Sequence, residues 1–135
     1  MVAFEKVLSR NDTGENGSHQ AGILVPKGDK DLLSFFPLLD PSIKNPDALV
    51  DCTDEDGRKW RFRYVYYNNR LHEPEGTRNE YRITHMTKYL RAVGATAGQA
   101  IVFKAMENKT YHISVPLCPV GKLGIVKLCG WRRVH

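Results

Sequence analysis

From Lys59 to Tyr64 the chain alternates cation and aromatic without a break, with Lys59, Arg61 and Arg63 on one set of positions and Trp60, Phe62 and Tyr64 on the other. A period of two belongs to an extended strand, whose successive side chains point to opposite faces. The segment can therefore bury its aromatics only by leaving its cations outside. Those cations form either a solvated face or part of a phosphate track, which Arg70, Lys88, Arg91, Arg132 and Arg133 would extend.

The other apolar segments are equally short and are separated by turn chemistry. Phe4–Leu8, Gln20–Val25, Ala48–Cys52, Lys59–Tyr67, Arg82–Met86, Gln99–Ala105, Thr110–Val115 and Leu123–Arg133 read as strands. Asp31–Pro37 suits a short helix stopped by its proline, and Thr87–Val93 a second one. A hairpin is expected around Thr53–Gly57, and residues 99–105 are expected to pair with 110–115. No strand–helix–strand unit of the length a parallel crossover needs recurs, so a small, mainly β (α+β) barrel is expected rather than a parallel α/β sheet. No repeat or linker divides the 135 residues, so a single domain over 1–135 follows.

A formal net charge of +5 favours a polyanionic partner if the cations gather on one face. Cys52, Cys118 and Cys129 are scattered, with no CxxC pair and no histidine at zinc-ligand spacing, which points to buried thiols in a reducing compartment. Nothing resembles a secretory signal and no apolar run is long enough to cross a bilayer, so a cytoplasmic protein without a membrane partner is expected. Phosphate-binding GxxxxGK[ST], dinucleotide GxGxxG and nucleophile-elbow patterns are missing, and no cofactor is implied.

A metal-dependent nuclease would need clustered carboxylates and a nearby lysine. Pro46-Asp47 supplies a first element, but Glu107-Asn108-Lys109 lies far downstream, Asp56-Gly57-Arg58 lacks the lysine, and Asp54-Glu55-Asp56 reads as a turn. Neither a catalytic residue nor a metal site is therefore expected. Two alternatives stay open: a small nuclease built on Asp47, Glu107 and Lys109, and a single-stranded nucleic-acid binder stacking bases on Trp60 or Tyr66.

The positive signals are two polar runs. Thr77-Arg78-Asn79-Glu80, between Gly76 and Arg82, gathers the side chains that match base edges: an Arg fork for guanine, an amide for adenine and a carboxylate for the cytosine amino group. The other is Ser9 to Gln20, twelve polar residues between two expected strands and longer than a tight turn requires. In it, His19 sits with Arg10, Asn11, Asp12 and Thr13, while Gly14 and Gly17 allow close backbone approach.

Asn11-Asp12-Thr13-Gly14 and Gly17-Ser18-His19-Gln20-Ala21-Gly22, followed by Tyr66-Tyr67-Asn68, Arg70, Thr77-Arg78-Asn79-Glu80 and Arg82-Ile83-Thr84, closely resemble two signatures of the N-terminal effector domain of EcoRII-type restriction endonucleases. The likeness is strong from Ser9 to Thr84 and looser beyond, where Gly130-Trp131-Arg132 is similar to related modules of other restriction enzymes. That family is similar in fold to the plant B-three domain, a DNA-binding pseudobarrel of seven strands and two short helices. The resemblance implies two arms in the major groove of double-stranded DNA. Arg10, Asn11, Asp12, Thr13 and His19 would form the N-arm, and Arg70, Thr77, Arg78, Asn79, Glu80 and Arg82 the C-arm, with Lys59, Arg61, Arg63 and Lys88 as phosphate contacts. It further implies a module of a larger type II restriction enzyme whose nuclease catalytic domain lies elsewhere, serving as effector or specificity domain, and nothing in the sequence demands that the isolated module be more than a monomer. The family carries lysines where this chain has Gly76 and Tyr81, and its loop is shorter than the one that here includes His72-Glu73-Pro74-Glu75.

Overall fold

The computed structural model describes residues 2–13, 22–116 and 131–134. Among them run eight strands: β1 (Ala3–Val7), β2 (Ile23–Val25), β3 (Asp47–Thr53), β4 (Lys59–Tyr67), β5 (Glu80–Thr84), β6 (Ala100–Ala105), β7 (Tyr111–Ser114) and β8 (Trp131–Val134). Four short helices are interspersed, α1 (Arg10–Thr13), α2 (Lys30–Phe35), α3 (Asn69–His72) and α4 (Thr87–Ala92), with a 3-10 turn over Glu107–Lys109. The mainly β class is as expected, but the counts exceed the seven strands and two helices that the resemblance implies. The extra helices, α1 and α3, are four-residue turns too short to carry a visible period.

The chain forms two compact units: one from Met1–Gln20, Asp51–Trp60 and Met86–His135, the other from Ala21–Val50 and Arg61–His85. In the first, the strand order is β3-β7-β6-β1-β8. β1 lies between antiparallel neighbours, with Phe4 opposite Phe103 of β6 and Arg133 of β8. β6 and β7 make the expected antiparallel pair, Phe103 facing Ile113, while β7 meets β3 in parallel at Cys52 and Thr53. Phe4, Leu8, Cys52, Tyr89, Ile101, Phe103, Ile113 and Trp131 are buried here. Burial, and then the neighbouring Asp51 carboxylate, push the Cys52 thiol up to about 12, so this cysteine is inert. The acidic cluster is a turn: the Asp54 carboxylate accepts from the N–H groups of Asp56 and Arg58, each at 2.9 Å, and from Trp60 Nε1 at 2.8 Å.

In the second unit β5 is central, in the order β2-β5-β4, with both pairings antiparallel. Tyr64, Tyr66 and Tyr67 of β4 face Ile83, Tyr81 and Glu80 of β5, so the buried face carries Tyr64, Tyr66 and Ile83. The alternation read from the sequence holds: Lys59 and Arg61 are exposed and Phe62 and Tyr64 are buried. α2 is capped by Asp29, which accepts from the Leu32 N–H at 3.1 Å, and it ends before Pro37. Gly22 enters β2 with φ at +94°, and a Cβ there would lie 2.4 Å from the Ile83 carbonyl oxygen, so only glycine fits.

Candidate nucleic-acid interface

The N-arm begins as structure rather than loose loop. Ser9 and Asp12 form a capping box at the start of α1: Ser9 Oγ accepts from the Asp12 N–H at 3.1 Å, and Asp12 Oδ2 accepts from the Ser9 N–H at 3.0 Å. The same Oδ2 takes Lys6 Nζ at 2.6 Å, in a pair whose side chains are only 8% and 6% exposed. Asp12, expected to face DNA, is therefore turned inward and anchors α1 to β1. Arg10 is exposed on this turn, and the Thr13 hydroxyl donates to the Ser9 and Arg10 carbonyls at 3.4 and 3.3 Å. His19, with Gly14 and Gly17, lies outside the described residues, as does the Asn11 side chain.

The C-arm is built on β4, α3 and β5. Asn68 opens α3 and is fully buried; its Oδ1 accepts from the Asn45 N–H at 2.6 Å, and its Nδ2 donates to the Ile43 and Pro41 carbonyls at 2.9 and 3.3 Å. Asn69 then fixes the segment at Arg78, its Oδ1 accepting from the Arg78 N–H at 2.8 Å while the Arg70 N–H donates to the Arg78 carbonyl at 3.1 Å. Both backbone polar groups of Arg78 are thus tied to α3. Gly76 makes this approach possible, since a Cβ there would lie 2.2 Å from the Asn69 carbonyl oxygen. Glycine at this position is required by the way the loop folds back on α3.

Arg78 lies flat on Tyr67, with the guanidinium carbon 3.8 Å from the ring centre. Its Nε and Nη2 donate to Glu80 Oε1 at 3.1 and 3.0 Å, and Arg82 Nη2 donates to Glu80 Oε2 at 3.1 Å. Arg82 Nη1 reaches the Gly22 carbonyl at 2.9 Å. Burial would raise the Glu80 pKa, but hydrogen bonds from Arg82 and Arg78 outweigh it and hold the carboxyl below its ordinary value. Asn79 Oδ1 accepts the Tyr66 hydroxyl at 2.5 Å, and Tyr66 stacks on Tyr81 with centroids 4.2 Å apart and planes 3° from parallel. Burial, then Tyr66, raise the Tyr81 pKa above its ordinary value, so this ring adds no charge to the arm. Arg70 and Thr77 are exposed at the surface of the arm.

Of the expected phosphate contacts, Lys59, Arg61 and Lys88 are exposed, whereas Arg63 Nε is paired with Asp47 Oδ2 at 2.6 Å. That pair occupies the carboxylate on which a nuclease centre would begin, and among the described residues no three His, Cys, Asp or Glu side chains gather as a metal site. The aromatics of the stacking alternative are also engaged: Trp60 bonds Asp54 and packs edge-on against Tyr89 at 5.3 Å, and Tyr66 is buried under its own stack. Sequence reasoning missed Lys6, Tyr67, Asn68 and Asn69 as supporting residues. The Ser9-x-x-Asp12 spacing signalled the capping box, while a cation stacked on Tyr67 leaves no local sequence mark.

Comparison with known proteins gives a consistent picture. The family model described as restriction endonuclease EcoRII, N-terminal, matches residues 1–115. The type II restriction enzyme EcoRII of Escherichia coli is 39% identical over 128 residues, covering 85% of this chain and 30% of that protein, so the chain spans less than a third of this relative. Among solved structures, the Arabidopsis FUS3–DNA complex matches with a TM-score of 0.63 at 22% identity, covering 85% of this chain and 96% of that one, a likeness of fold. The B3 domain of UbaLAI restriction endonuclease, solved with cognate DNA, matches with a TM-score of 0.50 at 25% identity, covering 83% and 65% of the two chains. The fold is thus that of the B3-like domains, and with the family's pattern running through both arms to residue 115, the chain belongs to the EcoRII N-terminal domain family.

Proposed function

We propose that the chain recognises double-stranded DNA sequence-specifically from the major groove and has no catalytic centre of its own. The observation that carries this reading is the immobilised Arg78: its backbone is fixed by α3, its face by Tyr67 and one edge by Glu80. A guanidinium held in this way has lost its rotamer entropy before binding, which suits bidentate reading of a guanine. Arg70, Thr77 and Asn79 accompany it in the C-arm, together with Glu80 and Arg82. Arg10, Asn11, Thr13 and His19 supply the N-arm, with Asp12 holding its first turn, and Lys59, Arg61, Arg63 and Lys88 are phosphate contacts. The DNA in the solved UbaLAI complex supports this use of the fold.

By the same family membership, the module serves a type II restriction endonuclease as effector or specificity domain. Its catalytic domain is a separate part of the parent protein, in the cytoplasm, and the isolated module is a monomer. Among the described residues no helix is long and apolar enough to cross a membrane. Selection from a randomised duplex pool at physiological salt should enrich one short motif, with affinity falling steeply as salt rises. An unenriched pool, or preference for single strands over duplex, would overturn the proposal.

A further inference from the structure

Three charged side chains of the C-arm, Arg78, Glu80 and Arg82, do not stand equally toward solvent. Side-chain exposure falls from 37% for Arg78 to 28% for Glu80 and 17% for Arg82. Three donors already fix the Glu80 carboxylate, with Oε1 filled by Arg78 Nε and Nη2 and Oε2 held by Arg82 Nη2, so its plane is set by the two arginines rather than left to turn toward a base. Arg82 is committed on the inner side, to Glu80 and to the Gly22 carbonyl, and its Nε is buried with no partner among the described residues. A phosphate contact would instead turn the guanidinium out to solvent. Gly22 cannot yield, because its conformation and its fit against Ile83 admit no side chain. A continuous chain of bonds thus runs from the Gly22 carbonyl, just before β2, through Arg82 and Glu80 to Arg78.

We infer that Glu80 and Arg82 are positioning residues that aim Arg78, and that Arg78 alone of the three touches a base. Because Nε and one proton of Nη2 are held by Glu80, Arg78 presents its remaining edge, Nη1 with the outer proton of Nη2. The inference rests on the proposed reading of duplex DNA and assigns the division of labour within it. Glu80 selects a base only through Arg78, and Arg82 ties the same point to the backbone at Gly22.

The test measures binding of wild type and variants to a panel of duplexes carrying every single base-pair change in the selected motif. Arg78→Ala should lose discrimination at one base pair, on the order of tenfold. Glu80→Ala should lose it at that same pair, and the double variant should lose no more than Arg78→Ala alone. Arg82→Lys keeps the charge but not the fork, so it should also blur that pair while the slope of log affinity against log salt stays unchanged. Glu80→Gln, which keeps the shape of the side chain, provides the same reading should the alanine variant fold poorly. Loss at a different base pair in the Glu80 variants, additive losses in the double variant, or full discrimination in Arg82→Lys would each overturn the inference. A wild-type protein without any base preference would instead refute the duplex-reading proposal itself.

Discussion

Replacing Asp12 by Asn isolates one buried charge. Asparagine keeps the oxygen that accepts from the Ser9 N–H and from Lys6 Nζ, so the capping box survives, but the Lys6 ammonium, 8% exposed, loses its counter-charge and keeps as acceptors that neutral oxygen and the Val7 carbonyl at 3.1 Å. Breaking a buried pair from one side costs roughly 3–5 kcal/mol, mostly through the stranded partner. Set against a typical domain stability of about 5–15 kcal/mol, that is a third or more of the total. In urea the midpoint should fall in proportion with an unchanged slope, since the area exposed on unfolding is the same. Replacing Lys6 by Met in the same molecule removes the stranded charge, and stability should return to within about 1 kcal/mol of wild type. The reasoning fails if Asp12→Asn alone costs less than about 1 kcal/mol, or if the two substitutions simply add.

Three further outcomes follow from the C-arm. Gly76→Ala places a methyl group 2.2 Å from the Asn69 carbonyl oxygen and 2.6 Å from the Arg70 nitrogen; overpacking against backbone should cost about 1–3 kcal/mol and blur duplex discrimination, and a variant as stable and selective as wild type in denaturation and competition assays would contradict the geometry. Asn68→Ala strands the Asn45 N–H and the Pro41 and Ile43 carbonyls, a loss of roughly 2–5 kcal/mol measurable by thermal unfolding. Glu80 ionises below its ordinary value of 4.5 because hydrogen bonds from Arg82 and Arg78 overcome burial. Its contribution is therefore complete above that value and disappears as pH falls through the lower folded-state pKa. Wild type and Glu80→Gln should differ in denaturant midpoint near neutrality and converge in acid; a constant gap would show that the ionised carboxylate is not what matters.

What the sequence disclosed follows from the reach of each signal. The strand β4 was legible to its last residue because the cation–aromatic period of two over Lys59–Tyr64 has one physical solution and an apolar run carries it on to Tyr67, and α2 was legible because Pro37 stops it. β5 begins at Glu80, two residues before the expected Arg82, because pairing with β4 extends into a run whose polar composition reads as loop. α1 and α3 were hidden for a different reason: four residues complete one turn and show no periodicity. Within the site, residue types announced Arg78 and Asn79, but the inward turn of Asp12 depends on Lys6, which a strand reading places without a face. The need for Gly76 depends on the backbone of Asn69, which only the folded loop brings within reach.

The position of β1 bears on how this protein is made. Its hydrogen-bonding partners come from residues 100–105 and 131–134, so β1 is synthesised long before either of its neighbours. During translation Phe4 and its flanking apolar residues have no sheet to join, and β1 remains an unpaired edge exposed to other nascent chains. Pairings this distant in sequence place folding in the slow regime of about milliseconds to seconds. Sequence changes that hasten closure of β1 onto β6 should therefore raise soluble yield in the cell while leaving the finished protein's equilibrium stability nearly unaltered.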